Sequence, residues 1–247
     1  MKVLVIPDVH LRPWMFDRAS ELMKSGKADK AVCLMDIPDD WDQGLNLDLY
    51  MQTYDRAIRF AQEYSDTLWC YGNHDLCYPW NQRESGYSKF AVQTVCEKLN
   101  GLRNAIRDES HIGYIHRIDS VLFCHGGLLD EFVKMHVPAK YYHDVDKVVE
   151  TINGLGCGEM WQDDSPIWYR PQYYTAKLYK PTKLLQVVGH TPVRSIERKG
   201  NLISCDVFST YRDGRPIGTQ EFPVIDTEDW TCNGVKGQRE ENKKIVK

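Results

Sequence analysis

The sequence predicts an α/β domain in which two packed sheets share one core with helices. Three observations carry that expectation. Through residue 71 short apolar runs alternate with amphipathic stretches, which is the pattern of a βαβαβ unit with parallel strands and right-handed crossovers. Beyond residue 112 the pattern changes to short strand-like runs, several of them joined by tight turns. Asp, His and Asn residues recur just behind the apolar runs, at the sheet edge where open α/β folds bind ligands.

Taken in order, residues 2–6 read as a buried strand. Residues 14–24 carry Phe16, Ala19, Leu22 and Met23 at helical spacing. Residues 31–35 are a second strand. Residues 47–64 form a long helix with Leu47, Tyr50, Met51, Tyr54, Ile58 and Ala61 on one stripe, and 67–71 a third strand. A helix is expected at 88–99. Two strands, 112–118 and 120–124, should meet at a turn centred on Asp119. A helix follows at 144–152, then a loop rich in Gly, Trp, Asp and Pro over 154–174. Strand 184–188 precedes a hairpin of 193–198 and 201–206 across Lys199-Gly200, and a last strand is expected near 217–224. Residues 1–235 read as one domain, and 236–247 as a charged tail that frays.

The 247 residues suffice to bury one sizeable core. Hydrophobic residues make up 42% and charged residues 27%, ordinary values for a globular protein. A formal net charge of −4 argues against nucleic acid as partner. No apolar run approaches a membrane span, and the chain opens directly on a strand, so a cytoplasmic location is expected. The eight cysteines include no C-x-x-C pair, and Cys33, Cys70, Cys124 and Cys205 sit in apolar runs. They are expected as small buried hydrophobes in a reducing compartment.

The chemistry lies behind the strands. Asp8 and His10 follow the first, Asp36 the second, and Asn73 and His74 the third, while His125 and His190 close two later ones. Singly, each reads as a turn, a cap or a core residue. Five such clusters in register point instead to a ligand site. Divalent ions need a shared carboxylate, hard oxygen donors and imidazoles. Two ions roughly 3.5–4 Å apart can clamp a phosphate and activate water.

Asp8-Val9-His10, Met35-Asp36-Ile37-Pro38-Asp39, Gly72-Asn73-His74-Asp75, Cys124-His125-Gly126-Gly127 and Gly189-His190-Thr191-Pro192 together resemble, in order, the motif blocks of the calcineurin-like metallophosphoesterases. The resemblance runs from residue 8 to about residue 210. It implies a four-layer αββα sandwich, two mixed sheets flanked by helices. It further implies that Asp8 and His10 bind one metal, that Asp36 bridges, and that Asn73, His125 and His190 complete the second site. His74 would be the general acid, Asp39 the carboxylate that orients it, and Asp75 a residue that shapes its loop. Mn²⁺ is the expected ion, with Fe, Zn or Co compatible.

The sequence departs from the pattern at two places. Met35 replaces the usual glycine before the bridging aspartate. Asp40 stands where protein phosphatases of the superfamily carry a phosphate-gripping arginine, so Arg12 and Arg170 are the candidate replacements. Pro192 replaces the second histidine of a Gly-His-x-His ending, which resembles the protein phosphatase and diadenosine-tetraphosphatase branch. His111, His116, His136 and His143 match no block and are expected on the surface or in loops. Trp161, Trp168, Tyr169, Tyr173 and Tyr174 read as the packing of a long loop, or else as a substrate-facing rim.

The expected activity is metal-dependent hydrolysis of phosphate monoesters by a bridging hydroxide, with His74 protonating the leaving group. The substrate could be a phosphoprotein, a nucleotide or a small phosphate ester, and oligomeric state is not specified. The alternatives are a phosphodiesterase or nuclease, a dinucleoside-polyphosphate hydrolase, and a non-catalytic binding module.

Overall fold

The structure is a computed structural model and describes residues 1–174, 176–180 and 182–237. Apolar runs buried on both faces form the parallel strands β1 (Lys2–Ile6), β2 (Lys30–Cys33) and β3 (Leu68–Cys70). Helices α1 (Trp14–Lys24) and α2 (Leu47–Glu63) make the crossovers, and Asn46 caps α2 by accepting from the Leu49 amide. The short helix α3 (Asn73–Cys77) and helix α4 (Val92–Ala105) lead to β4 (Ile112–Gly113), which pairs parallel with β3.

The chain then changes sheet at Tyr114. The Asn153 side chain accepts from the Tyr114 and Ile115 amides and donates to the Ile115 carbonyl, so the backbone groups freed at the step stay satisfied. The second half supplies β5 (Ile115–Ile118), β6 (Val121–Cys124), α5 (Asp130–His136), α6 (Val145–Asn153) and α7 (Cys157–Met160). It continues with β7 (Leu185–Pro192), β8 (Glu197–Lys199), β9 (Leu202–Asp206), β10 (Glu221–Asp226) and β11 (Cys232–Lys236). One sheet runs β11-β10-β1-β2-β3-β4 and the other β5-β6-β7-β9-β8, and both mix parallel with antiparallel pairs.

Strand alternation builds the layers. Val3, Val5, Val32 and Leu34 from the first sheet pack against Val121, Phe123, Val187 and Ile203 from the second. The alternate residues Leu4, Ile6, Leu122 and Cys124 turn outward into the larger core that includes residues of the helices. Phe16, Tyr54 and Phe60 cover the first sheet's side of that core, while Phe132, Val148 and Ile152 come from α5 and α6. The result is the expected αββα arrangement.

Several boundaries differ from expectation for identifiable reasons. Helix α4 begins at Val92 because Ser88 is held outside it, its hydroxyl bonded to the Gly44 carbonyl and its amide donating to Tyr78 Oη. The helix also runs through Gly101, where a Cβ would lie 3.3 Å from Ile58 Cδ1 of α2, so this glycine permits close helix packing. The expected single strand 112–118 is divided between two sheets. Strand β7 does not stop at Val188 but continues through an irregularity to Pro192. The strand expected last, near 217–224, begins at Glu221 as β10, and β11 follows it as a largely exposed edge strand with no apolar run to announce it. Lys236, expected in the tail, is paired in β11, and residues 238–247 of that tail lie outside the described residues.

Candidate metal centre and active site

All five polar clusters meet at one edge of the sandwich. Asp8 and His10 leave β1, Asp36 leaves β2, Asn73 opens α3 behind β3, His125 follows β6, and His190 sits in the irregular part of β7. Hydrogen bonds lock the two sheets together there. The His190 amide donates to Asp8 Oδ2 at 2.8 Å, and His125 Nδ1 lies 2.9 Å from the Leu34 carbonyl. The His74 amide donates to Asp36 Oδ1 at 3.0 Å. Asp75 accepts from the Asp36, Ile37 and Gly72 amides, which ties the second and third clusters together.

Two donor groups result. Asp8, His10 and Asp36 place ligand atoms within 4.8 Å of one another, as do Asp36, His125 and His190, so Asp36 belongs to both. His125 Nε2 lies 3.0 Å from Asp36 Oδ2, and His10 Nε2 3.9 Å from the same oxygen. His10 Nδ1 faces the Asp39 carbonyl at 2.9 Å, so in both histidines Nδ1–H can donate to the main chain and leave Nε2 as a donor atom for a cation.

The site fits a divalent cation on physical grounds. Asp8 Oδ1, Asn73 Oδ1 and His190 Nε2 are buried and have no hydrogen-bond partner among the described residues. Such orphans each cost about 1–3 kcal/mol unless a ligand satisfies them. Burial pushes Asp8 well above its ordinary pKa, and the neighbouring Asp206 adds to this. Burial also opposes charge on Asp36, but His125 and His74 outweigh it and hold Asp36 well below the usual carboxylate range. Buried carboxylates this crowded call for cationic compensation. Carboxylate and amide oxygens with imidazole nitrogens are a donor set suited to several first-row divalent ions.

The backbone is shaped around these atoms. His10, Met35, Asp36, Asp39 and His190 all have positive φ, between 41° and 65°. Met35 adopts φ 53° where the family pattern has glycine, and it compensates by burying its whole side chain in the core. Two glycines make room for the Asp36 and Asp8 carboxylates. A Cβ on Gly72 would fall 2.0 Å from Asp36 Oδ1, and one on Gly189 2.1 Å from Asp8 Oδ1.

His74 lies beside the donor groups, its Nδ1 2.9 Å from Asp39 Oδ2. Asp39 Oδ1 accepts from Tyr50 at 2.8 Å and from Tyr78. Burial opposes charge on His74, but Asp36 and Asp39 outweigh it and push its pKa up to about 9.

The two candidate arginines differ. Arg12 has Nη1 bonded to the Val9 and His10 carbonyls, and Nη2 to Thr210 Oγ1 and to Asp40 at 3.1 Å. Both its terminal nitrogens are therefore engaged, and Asp40 neutralises its charge. Arg170 donates through Nη1 to the His190 carbonyl at 2.6 Å and to Thr191 Oγ1, while its Nε and Nη2 have no partner among the described residues. Both arginines line a cavity of about 250 Å³ together with His10, Asp36, Asn73 and His74.

Sequence reasoning missed Asp206, which lines the same cavity and is held by the Ser209 amide and hydroxyl. Its signal was an Asp at the end of a strand, the same signal that marked Asp36. His116 also corrects an expectation. It is buried between the sheets, with Nε2 2.9 Å from the Trp69 carbonyl, because its neighbour two residues on, Ile118, faces the same inter-sheet core. Of the aromatic cluster, Trp161 and Trp168 pack edge to face and Trp168 meets the His190 ring, whereas Tyr173 and Tyr174 are exposed. All eight cysteines are unpaired. No helix among the described residues is long and apolar enough to cross a membrane.

A family model described as calcineurin-like phosphoesterase matches residues 1–214. The chain belongs to this family. It is a hydrolase acting on phosphoric esters, in a family that binds divalent metals, and its candidate metal ligands are in place. No curated protein matches the chain. Among solved structures it is similar to a cold-active protein-tyrosine phosphatase of the psychrophile Shewanella sp., at 17% identity and TM-score 0.57, covering 97% of this chain and 79% of that one. A metallophosphoesterase from Sphaerobacter thermophilus matches at 15% identity and TM-score 0.47, covering 96% and 88% of the two chains. An archaeal phosphodiesterase matches at 13% identity and TM-score 0.43, covering 95% and 99%. The likeness to the Shewanella phosphatase is one of fold.

Proposed function

We propose that this phosphoesterase is a two-metal phosphatase acting on phosphate monoesters. The observation that carries the reading is the pair of donor groups sharing Asp36, with unpartnered buried oxygens on Asp8 and Asn73 beside them. Asp8, His10 and Asp36 would hold one ion, and Asp36, Asn73, His125 and His190 the other. When bound, such ions supply Lewis acidity that activates water and offsets charge on phosphate. Manganese is the first choice, although the donor set also suits iron, zinc or cobalt and does not itself select.

The chain's own groups do the rest. Arg170 offers Nε and Nη2 to phosphate oxygens while its Nη1 is anchored on the His190 carbonyl. Asp39 fixes Nδ1 of His74, so Nε2 is the nitrogen left to protonate the departing oxygen. The Asp39 carboxylate favours the protonated imidazole, which supports that role. Asp40 and Arg12 neutralise one another and brace the His10 loop, which leaves Arg170 as the phosphate grip. Pro192 lines the cavity where a phosphodiesterase-type ending would place a second histidine, which favours monoesters over diesters.

The test is a comparison of initial rates on p-nitrophenyl phosphate and bis-p-nitrophenyl phosphate, using metal-stripped protein with Mn²⁺ restored, alongside Asp36→Asn. Metal-dependent turnover that favours the monoester and collapses in Asp36→Asn is expected. Preference for the diester would replace the phosphatase reading with a phosphodiesterase. Absence of metal-dependent turnover on both esters would remove the reading.

A further inference from the structure

We infer that Trp41 selects the leaving group, and that the site is built for aryl phosphates, monoesters in which an aromatic ring is joined directly to the ester oxygen. This rests on the phosphatase reading above. Trp41 lines the same cavity as His74, Asp36 and Arg170. Its position is fixed at the ring edge, where Nε1 donates to the Thr210 carbonyl at 2.9 Å. It is also fixed at the main chain, where its amide donates to Asp40 Oδ1 at 2.8 Å. Asp40 is braced in turn by Arg12, which also holds Thr210 Oγ1. An indole tied by its edge and 49% exposed presents apolar ring surface at the site without having to reorganise.

Three further features narrow the ligand. Pro192 and Ile217 add apolar wall to the same cavity. The carboxylate of Glu84 also lines it, which disfavours a leaving group carrying a second anion. The volume of about 250 Å³ lies below the roughly 300–1,000 Å³ of sites for drug-sized ligands, so one ring with its phosphate fits better than a dinucleoside polyphosphate. Arg170 and the metal-donor groups take the phosphate, and Trp41 takes the ring.

The test is kcat/KM on phenyl phosphate and ethyl phosphate for the metal-replete wild type, Trp41→Ala and Trp41→Phe. Taking the phenyl-to-ethyl ratio within each protein and comparing it between proteins cancels the intrinsic reactivity of the two esters. The ratio is expected to fall by about three- to tenfold in Trp41→Ala, the range that aromatic pair energies convert to, and to fall less in Trp41→Phe, which keeps a ring but loses the Nε1 anchor on Thr210. An unmoved ratio in Trp41→Ala overturns the inference. Free phosphotyrosine and a phosphotyrosyl peptide, run in parallel, assign the source of the ring. A rate on either that is sensitive to Trp41 supports the inference, and insensitivity on both overturns it. Wild-type protein that turns over neither phenyl nor ethyl phosphate would instead bring down the phosphatase reading itself.

Discussion

Asp39 joins His74 to the protein interior. One carboxylate oxygen lies 2.9 Å from His74 Nδ1, and the other accepts from the hydroxyls of Tyr50 and Tyr78. The imidazole is therefore oriented by a carboxylate that is itself held on its far side.

Removing the acid should hurt poor leaving groups most. His74→Ala is expected to lose about 10²–10⁴-fold in kcat on an alkyl phosphate, and less on p-nitrophenyl phosphate, whose leaving group needs no proton. Asp39→Asn should reproduce part of that loss and move the alkaline limb of the pH–rate profile to lower pH, because Asp39 helps to raise the His74 pKa. Equal losses on both esters would contradict an acid role.

The tyrosines behind Asp39 should matter unequally. Tyr50→Phe removes one donor to Asp39, whereas Tyr78→Phe removes a donor to Asp39 and also the acceptor of the Ser88 amide. Urea unfolding is expected to show a loss of about 1–3 kcal/mol for Tyr50→Phe and a larger one for Tyr78→Phe.

Glycine holds open the space around the Asp36 and Asp8 carboxylates. Gly72 has φ −97° and ψ 172°, a conformation open to alanine, so its lack of a side chain serves Asp36 rather than the backbone. Gly72→Ala should displace the Asp36 carboxylate and weaken metal binding by at least about tenfold, as titration with Mn²⁺ would show. Far-ultraviolet circular dichroism should stay that of a folded chain. Wild-type metal affinity in this variant would mean that Asp36 is not a ligand.

The strand-end clusters were legible because each of their strands is a short uninterrupted apolar run, which makes the following polar residue easy to place. The βαβαβ half and α1 were readable for the same reason. What escaped notice depends on contacts between distant parts of the chain. Asp40 facing Arg12, Trp41 reaching Thr210 and Tyr78 bonding Asp39 join residues 28, 169 and 39 positions apart. Helix periodicity explained Tyr50 as a core residue and said nothing of its hydroxyl. β11 was invisible because an exposed edge strand needs no apolar pattern.

His116 gives the fold a pH dependence separate from catalysis. Burial pushes its pKa down to about 4, and its Nε2 faces the Trp69 carbonyl. The unfolded chain takes up this proton below about pH 6.5, while the folded chain does not until near pH 4. Its effect on stability is therefore absent above pH 6.5 and grows as pH falls through that window, reaching a loss of about 3 kcal/mol. His116→Gln keeps an N–H for the Trp69 carbonyl and should lose less stability between pH 7 and pH 4.5 than the wild type. Parallel unfolding curves for the two proteins across that range would contradict this.

Metal stoichiometry tests the central claim most directly. Metal-stripped protein dialysed against excess Mn²⁺ and then analysed for bound metal should carry two ions per chain, one for each donor group, and Asp36→Asn should lose both because Asp36 belongs to each group. One ion or none in the wild type, or two retained in Asp36→Asn, would contradict a centre built around a shared Asp36.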